Sequence, residues 1–90
     1  MSHVKDDPAL VQRVRRIAGQ VAAIERALVE EKECAITLHL VAAARGAMNG
    51  LMDQIVEAHV EAHVAAPGLT DAERARGAEE LIAAIRRYAK

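Results

Sequence analysis

The eight residues EAHVEAHV, positions 57–64, set His59 and His63 four apart. On a helix, positions i and i+4 lie on one face a turn apart, so the two imidazoles can fill two coordination positions of one metal ion. Two are too few for a tight site, but the chain carries further donors: its single cysteine, Cys34, and two more histidines, His3 and His39. A thiolate with imidazoles suits nickel, cobalt, zinc or copper(II) and is poor for magnesium or calcium. A lone cysteine excludes an internal disulfide. With no signal peptide or membrane-length apolar run, a cytoplasmic protein without a membrane partner is expected, its thiol available as ligand or nucleophile.

Helices must position these groups. Apolar residues make up 52% of the 90 residues, yet Tyr88 is the only aromatic, so each chain buries little area per side chain and a second copy is expected to share the core. Asp7 and Pro8 suit the N-cap and first position of a helix over about 8–29. Its apolar seam runs Leu10, Val14, Ile17, Val21, Ile24, Leu28. The charged run EEKE, 30–33, reads as a turn. A second helix spans about 32–65 and ends at Pro67 and Gly68. TDAE is a capping box, Thr70 with Glu73, opening a third helix over 71–88 that carries Leu81, Ile82, Ile85 and Tyr88. Nothing alternates with period two. The fold class is all-α: three helices in one domain, 1–90, with 1–7 a flexible arm.

The central helix is too long for a compact chain of this size, roughly 45–50 Å at 1.5 Å per residue. Arg45, Asn49, Asp53 and Glu57 form a narrow polar stripe. The remaining arc, with Val41, Met48, Leu51, Met52, Ile55 and Val56, is apolar and broad enough to need cover on two sides. The first helix supplies one; a partner chain most economically supplies the other.

At 100° per residue, His59 and His63 each fall within about 20° of Cys34. Along the axis, Cys34 and His59 stand roughly 37 Å apart. One straight helix cannot bring them to one metal; an antiparallel pair of long helices can. The crossing then falls near 46–49, in the sequence GAMNG, where Gly46 and Gly50 let backbones approach. Each costs about 1 kcal/mol against alanine in a helix interior, which asks for a packing reason. Each dimer would hold two sites, with Cys34 from one protomer and His59 and His63 from the other. The first helix folds back on the second, which sets position 3 beside about position 59 and brings His3 to the site. His39 faces roughly 140° from Cys34 and reads as a solvated side chain.

Arg13, Arg15 and Arg16 lie on the first helix in QRVRRIAGQ. On the residues alone, a solvated face explains them more simply than DNA contact. The net charge of −1 is not that of a monomeric DNA-binding arm, although an oligomer can gather basic patches that a count averages away. The lack of stacking aromatics argues against single-stranded nucleic acid. No helix-turn-helix is apparent.

The segments RVRRIAGQV, EC, VAAARGAMNGLM and AHVEAH together resemble the CsoR/RcnR/FrmR family of bacterial repressors over almost the whole chain. The resemblance implies a three-helix fold assembled as a dimer of dimers, a homotetramer that binds double-stranded operator DNA without a helix-turn-helix and releases it with effector. The family's copper branch uses Cys-His-Cys on the long helix, where this chain ends in His63. Its formaldehyde branch has proline after the initiator methionine, where this chain has Ser2, and no histidine at the place of His63. The nickel and cobalt branch has His-Cys-His-His and opens with MSH, matched here by His3, Cys34, His59 and His63. That branch implies that the Ser2 amine completes an octahedral site favouring nickel or cobalt, with zinc bound in vitro. Family DNA contacts carry to Arg13, Arg16 and Arg15. His39 and Ala62 depart from the branch.

The expected function is a repressor that senses nickel or cobalt and derepresses an efflux gene. The alternative is a formaldehyde-responsive repressor with Cys34 as nucleophile. A plain dimerisation module would make the in-phase ligands a coincidence. An enzyme with a small-molecule substrate is not expected: four protein ligands with an amine leave little open coordination, and no carboxylate pair or Ser-His-Asp set stands nearby.

Overall fold

The computed structural model describes residues 7–88, which form three helices: α1, Pro8–Val29; α2, Cys34–His63; and α3, Asp71–Tyr88. Among these residues there is no strand, and no helix is long and apolar enough to cross a membrane. Contacts sort the chain into two units, Asp7–Asp53 and one that begins at Gln54, so α2 contributes to both. The expected arm, with Ser2 and His3, lies outside the described residues apart from Asp7.

In the first unit, the Asp7 side chain caps α1 by accepting from the backbone N–H groups of Ala9 (3.0 Å) and Leu10 (3.3 Å), while Pro8 opens the helix at a position whose N–H needs no partner. The other end of α1 closes as a Schellman motif. Glu31 adopts φ 52°, the Lys32 N–H donates to the Ala27 carbonyl (2.9 Å), and the Glu31 N–H donates to the Leu28 carbonyl (3.3 Å). This turn corrects the expected start of the second helix from 32 to Cys34. Its backbone at 31–32 is committed to ending α1, and the Glu33 carbonyl is the first to accept from within α2, from Ile36 and Thr37.

α1 folds back on α2, with Arg13 beside Gly50. The face it buries differs from the expected seam. Leu10, Ile17 and Ala27 are buried, Arg13, Gln20 and Ile24 are half-buried, and Val14, Val21 and Leu28 are 49%, 53% and 64% exposed. The buried row 10-13-17-20-24-27 is rotated by about 50° from the seam at 100° per residue. α1 carries two apolar rows, and one neighbouring helix covers only one of them.

α2 has no buried residue. Thr37, Leu40, Ala44, Ala47, Gly50 and Leu51 are half-buried in the first unit, whereas Val41, Met48 and Met52 are exposed. The polar stripe Arg45, Asn49, Asp53 and Glu57 faces solvent as expected.

In the second unit, α2 ends at His63 rather than 65. The Val64 and Ala65 N–H groups both donate to the Val60 carbonyl (3.0 and 2.8 Å), which closes the helix before Gly68 turns the chain at φ 82°. The Arg74 guanidinium then donates to the carbonyls of Val64 and Ala66 (3.4 Å to the latter), satisfying groups that a helix C-terminus leaves unpaired. The capping box forms as expected: the Glu73 N–H donates to Thr70 Oγ1 (3.1 Å), and the Thr70 N–H to Glu73 Oε1 (2.8 Å). The bond from the Thr70 backbone holds the Glu73 carboxyl below its ordinary pKa.

Candidate metal centre and nucleic-acid interface

The pair read from EAHVEAHV forms. His59 and His63 lie on the last turns of α2, half-buried, with ring centroids 4.9 Å apart and planes tilted by 47°. His59 Nε2 is 2.8 Å from the Gly77 carbonyl oxygen. A carbonyl only accepts, so Nε2 carries the proton and donates. Gly77 is the buried residue of α3, and a Cβ there would meet the His63 backbone, its carbonyl carbon at 2.7 Å.

Two imidazoles on one helical face suit a borderline metal such as nickel, cobalt or zinc, as a partial donor set. Among the described residues no group of three or more His, Cys, Asp or Glu gathers to complete it. Cys34 is a reduced, exposed thiol at the first position of α2, in the other unit. His39 is exposed, as expected. His3 and the Ser2 amine fall outside the described residues.

Of the arginines, Arg13 and Arg16 share a cleft. With Ile17, Gln20 and Ala47 they line its volume of about 260 Å³ in the first unit, while Arg15 is exposed and apart from it. Arg13 lies over Gly50, where a Cβ would come within 2.6 Å of its guanidinium. Gln20 Oε1 is buried without a hydrogen-bond partner. Two guanidinium groups at one opening offer donors to a phosphate.

Sequence reasoning missed Gly77, Gln20 and Arg74. Gly77 was within reach of the reasoning applied to Gly46 and Gly50, since a glycine inside α3 costs about 1 kcal/mol and needs the same kind of reason. Gln20 falls in the 3-4 spacing of Leu10, Ile17 and Ala27, but its polarity hid it. Nothing local marks Arg74 as a cap for another helix.

A family model described as "Metal-sensitive transcriptional repressor" matches residues 6–87. A Serratia marcescens protein, described as uncharacterized and in the bioA 5' region, is 47% identical over 91 residues, covering both chains in full. The transcriptional repressor RcnR of Escherichia coli is 46% identical over 50 residues, 54% of this chain and 56% of that one. A solved structure, a variant of the formaldehyde-responsive regulator FrmR from Salmonella enterica serovar Typhimurium, matches with TM-score 0.85 and 40% identity, covering 92% of this chain and 98% of that one. The family match spans all three helices, both histidines and the arginine cleft: this chain belongs to the metal-sensitive transcriptional repressors of the CsoR/RcnR family, regulators of transcription rather than enzymes.

Proposed function

We propose that this chain is a cytoplasmic repressor that binds double-stranded operator DNA as a dimer of dimers and releases it on taking up nickel or cobalt, derepressing a metal efflux gene. The observation that carries this reading is the His59–His63 pair on one face at the end of α2. With His3 and Cys34 it repeats the His-Cys-His-His pattern of the nickel and cobalt branch, and the likeness to RcnR supports the same choice. Cys34 of one protomer would join His59 and His63 of its partner, with His3 and the Ser2 amine completing the set; zinc would bind the same donors in vitro. Arg13 and Arg16, with Arg15 beside them, would hold DNA phosphates.

The mechanism is linkage. If the donors hold metal more tightly in the free protein than on DNA, metallation lowers DNA affinity by the same factor. Titrating nickel or cobalt into the protein on operator DNA should weaken binding by roughly 5- to 150-fold, the usual range of such coupling. Cys34→Ala and His63→Ala should each abolish the response while leaving metal-free DNA binding intact. Unchanged DNA affinity at saturating metal would exclude the reading.

One observation favours a second reading, a formaldehyde response. Cys34 is an exposed thiol, and the matched solved structure is of a formaldehyde-responsive regulator. Here the Cys34 sulfur and an amine would condense across one formaldehyde carbon with loss of water. Mass spectrometry after exposure to formaldehyde tests it: a one-carbon bridge at Cys34 together with weak metal binding would replace the metal reading.

A further inference from the structure

We propose that Gly77 is the positioning residue for His59: its backbone carbonyl holds the imidazole in the Nε2–H tautomer, so that Nδ1 is the nitrogen presented to a metal. The inference deepens the metal reading above and rests on it. Two independent features of the second unit carry it.

The first is the hydrogen bond. Nε2 stands 2.8 Å from the Gly77 carbonyl oxygen, and with the proton held there a neutral ring has its lone pair on Nδ1. Metal-ligating histidines commonly donate their second ring N–H to a carbonyl or carboxylate, which sets ring orientation and makes the ligating nitrogen more basic.

The second is the missing side chain. A Cβ at position 77 would run into the His63 carbonyl group, at 2.7 Å from its carbon, and lie 2.8 Å from the His63 Cβ. The obstruction is largely backbone and cannot swing aside. Any residue but glycine would therefore lift α3 from the last turn of α2 and lengthen the His59 bond. Gly77 is buried, and Arg74, one turn earlier, fastens the same helix to the Val64 and Ala66 carbonyls. α3 is thus seated on the histidine turn at two points. By reciprocity, a metal held at Nδ1 stabilises the seating of α3, and the seated helix strengthens the metal.

Long-range ¹H–¹⁵N correlation of the imidazoles tests this, at a pH where the rings are neutral, with His59→Gln used to assign the signals. Zinc, being diamagnetic, is the probe. The metal-free protein should show His59 as the Nε2–H tautomer. Zinc should shift Nδ1 while Nε2 keeps its proton. Gly77→Ala, with its helical circular dichroism retained, should lose the tautomer preference and bind zinc roughly 10- to 100-fold more weakly. If Gly77→Ala does not fold, the wild-type spectra decide. An Nδ1–H tautomer in the metal-free protein, displacement of the Nε2 proton by zinc, or a Gly77→Ala protein with tautomer and affinity both unchanged would overturn the role of Gly77 alone. Zinc that moves neither His59 nor His63 would overturn the metal reading, and this role with it.

Discussion

At the scale of single residues, the two glycines of GAMNG separate. Gly50 is half-buried and has its packing reason inside the chain, since Arg13 lies where its Cβ would be. The guanidinium is the far end of a flexible side chain and can move away. Gly46 is exposed, with open space around it, and still carries the helix-propensity cost of about 1 kcal/mol. If a second α2 crosses there, Gly46→Ala should weaken self-association in sedimentation experiments, whereas Gly50→Ala should leave it intact and act through Arg13 on DNA affinity. A Gly46→Ala chain that associates like the wild type, and is more stable by about 1 kcal/mol, would place the crossing elsewhere. The sequence made both glycines conspicuous. Only the position of Arg13 assigns one of them to the chain's own packing.

At the scale of elements, the N-terminal caps of α1 and α3 were the most legible part. Asp7, Thr70 and Glu73 cap as their types and spacing require, because capping is local and involves residues two or three apart. The end of α1 is less economical. A Schellman turn favours glycine at its left-handed position, and this chain has Glu31 at φ 52°. A side chain there costs roughly 1–2 kcal/mol relative to the right-handed conformation. Glu31→Gly should therefore raise stability by about 1 kcal/mol, less than the full penalty because glycine also loosens the unfolded chain. Denaturant unfolding at fixed protein concentration measures it; a loss of stability would mean that Glu31 makes a compensating contact. The neighbouring Lys32–Glu30 ion pair, at 3.5 Å, does not involve Glu31 and, being exposed, adds little itself.

At the scale of the whole molecule, most large apolar side chains remain uncovered. Val14, Val21 and Leu28 on α1, Val41, Met48 and Met52 on α2, and Ile82 and Ile85 on α3 are each at least 45% exposed. Buried apolar residues among those described are Leu10, Ile17 and Ala27, too few to offset the chain entropy of ordering three helices. Folding is therefore expected to be inseparable from assembly, and the melting temperature should rise with protein concentration. Calorimetry over a hundredfold concentration range checks this. A constant melting temperature, with a monomer seen by sedimentation, would mean that one chain is stable with these rows in water.

The sequence alone determined the number of helices, their capped ends, the turn at 30–33 and the pairing of His59 with His63, because each depends on residues within a turn or two of one another. It could not choose which of two apolar rows on α1 would be buried, since both satisfy the helical period. Nor could it announce that Gly77 would meet His59, eighteen positions away. Those were decided by tertiary structure, where helices approach closest at a small or missing side chain: α1 over Gly50, α3 at Gly77.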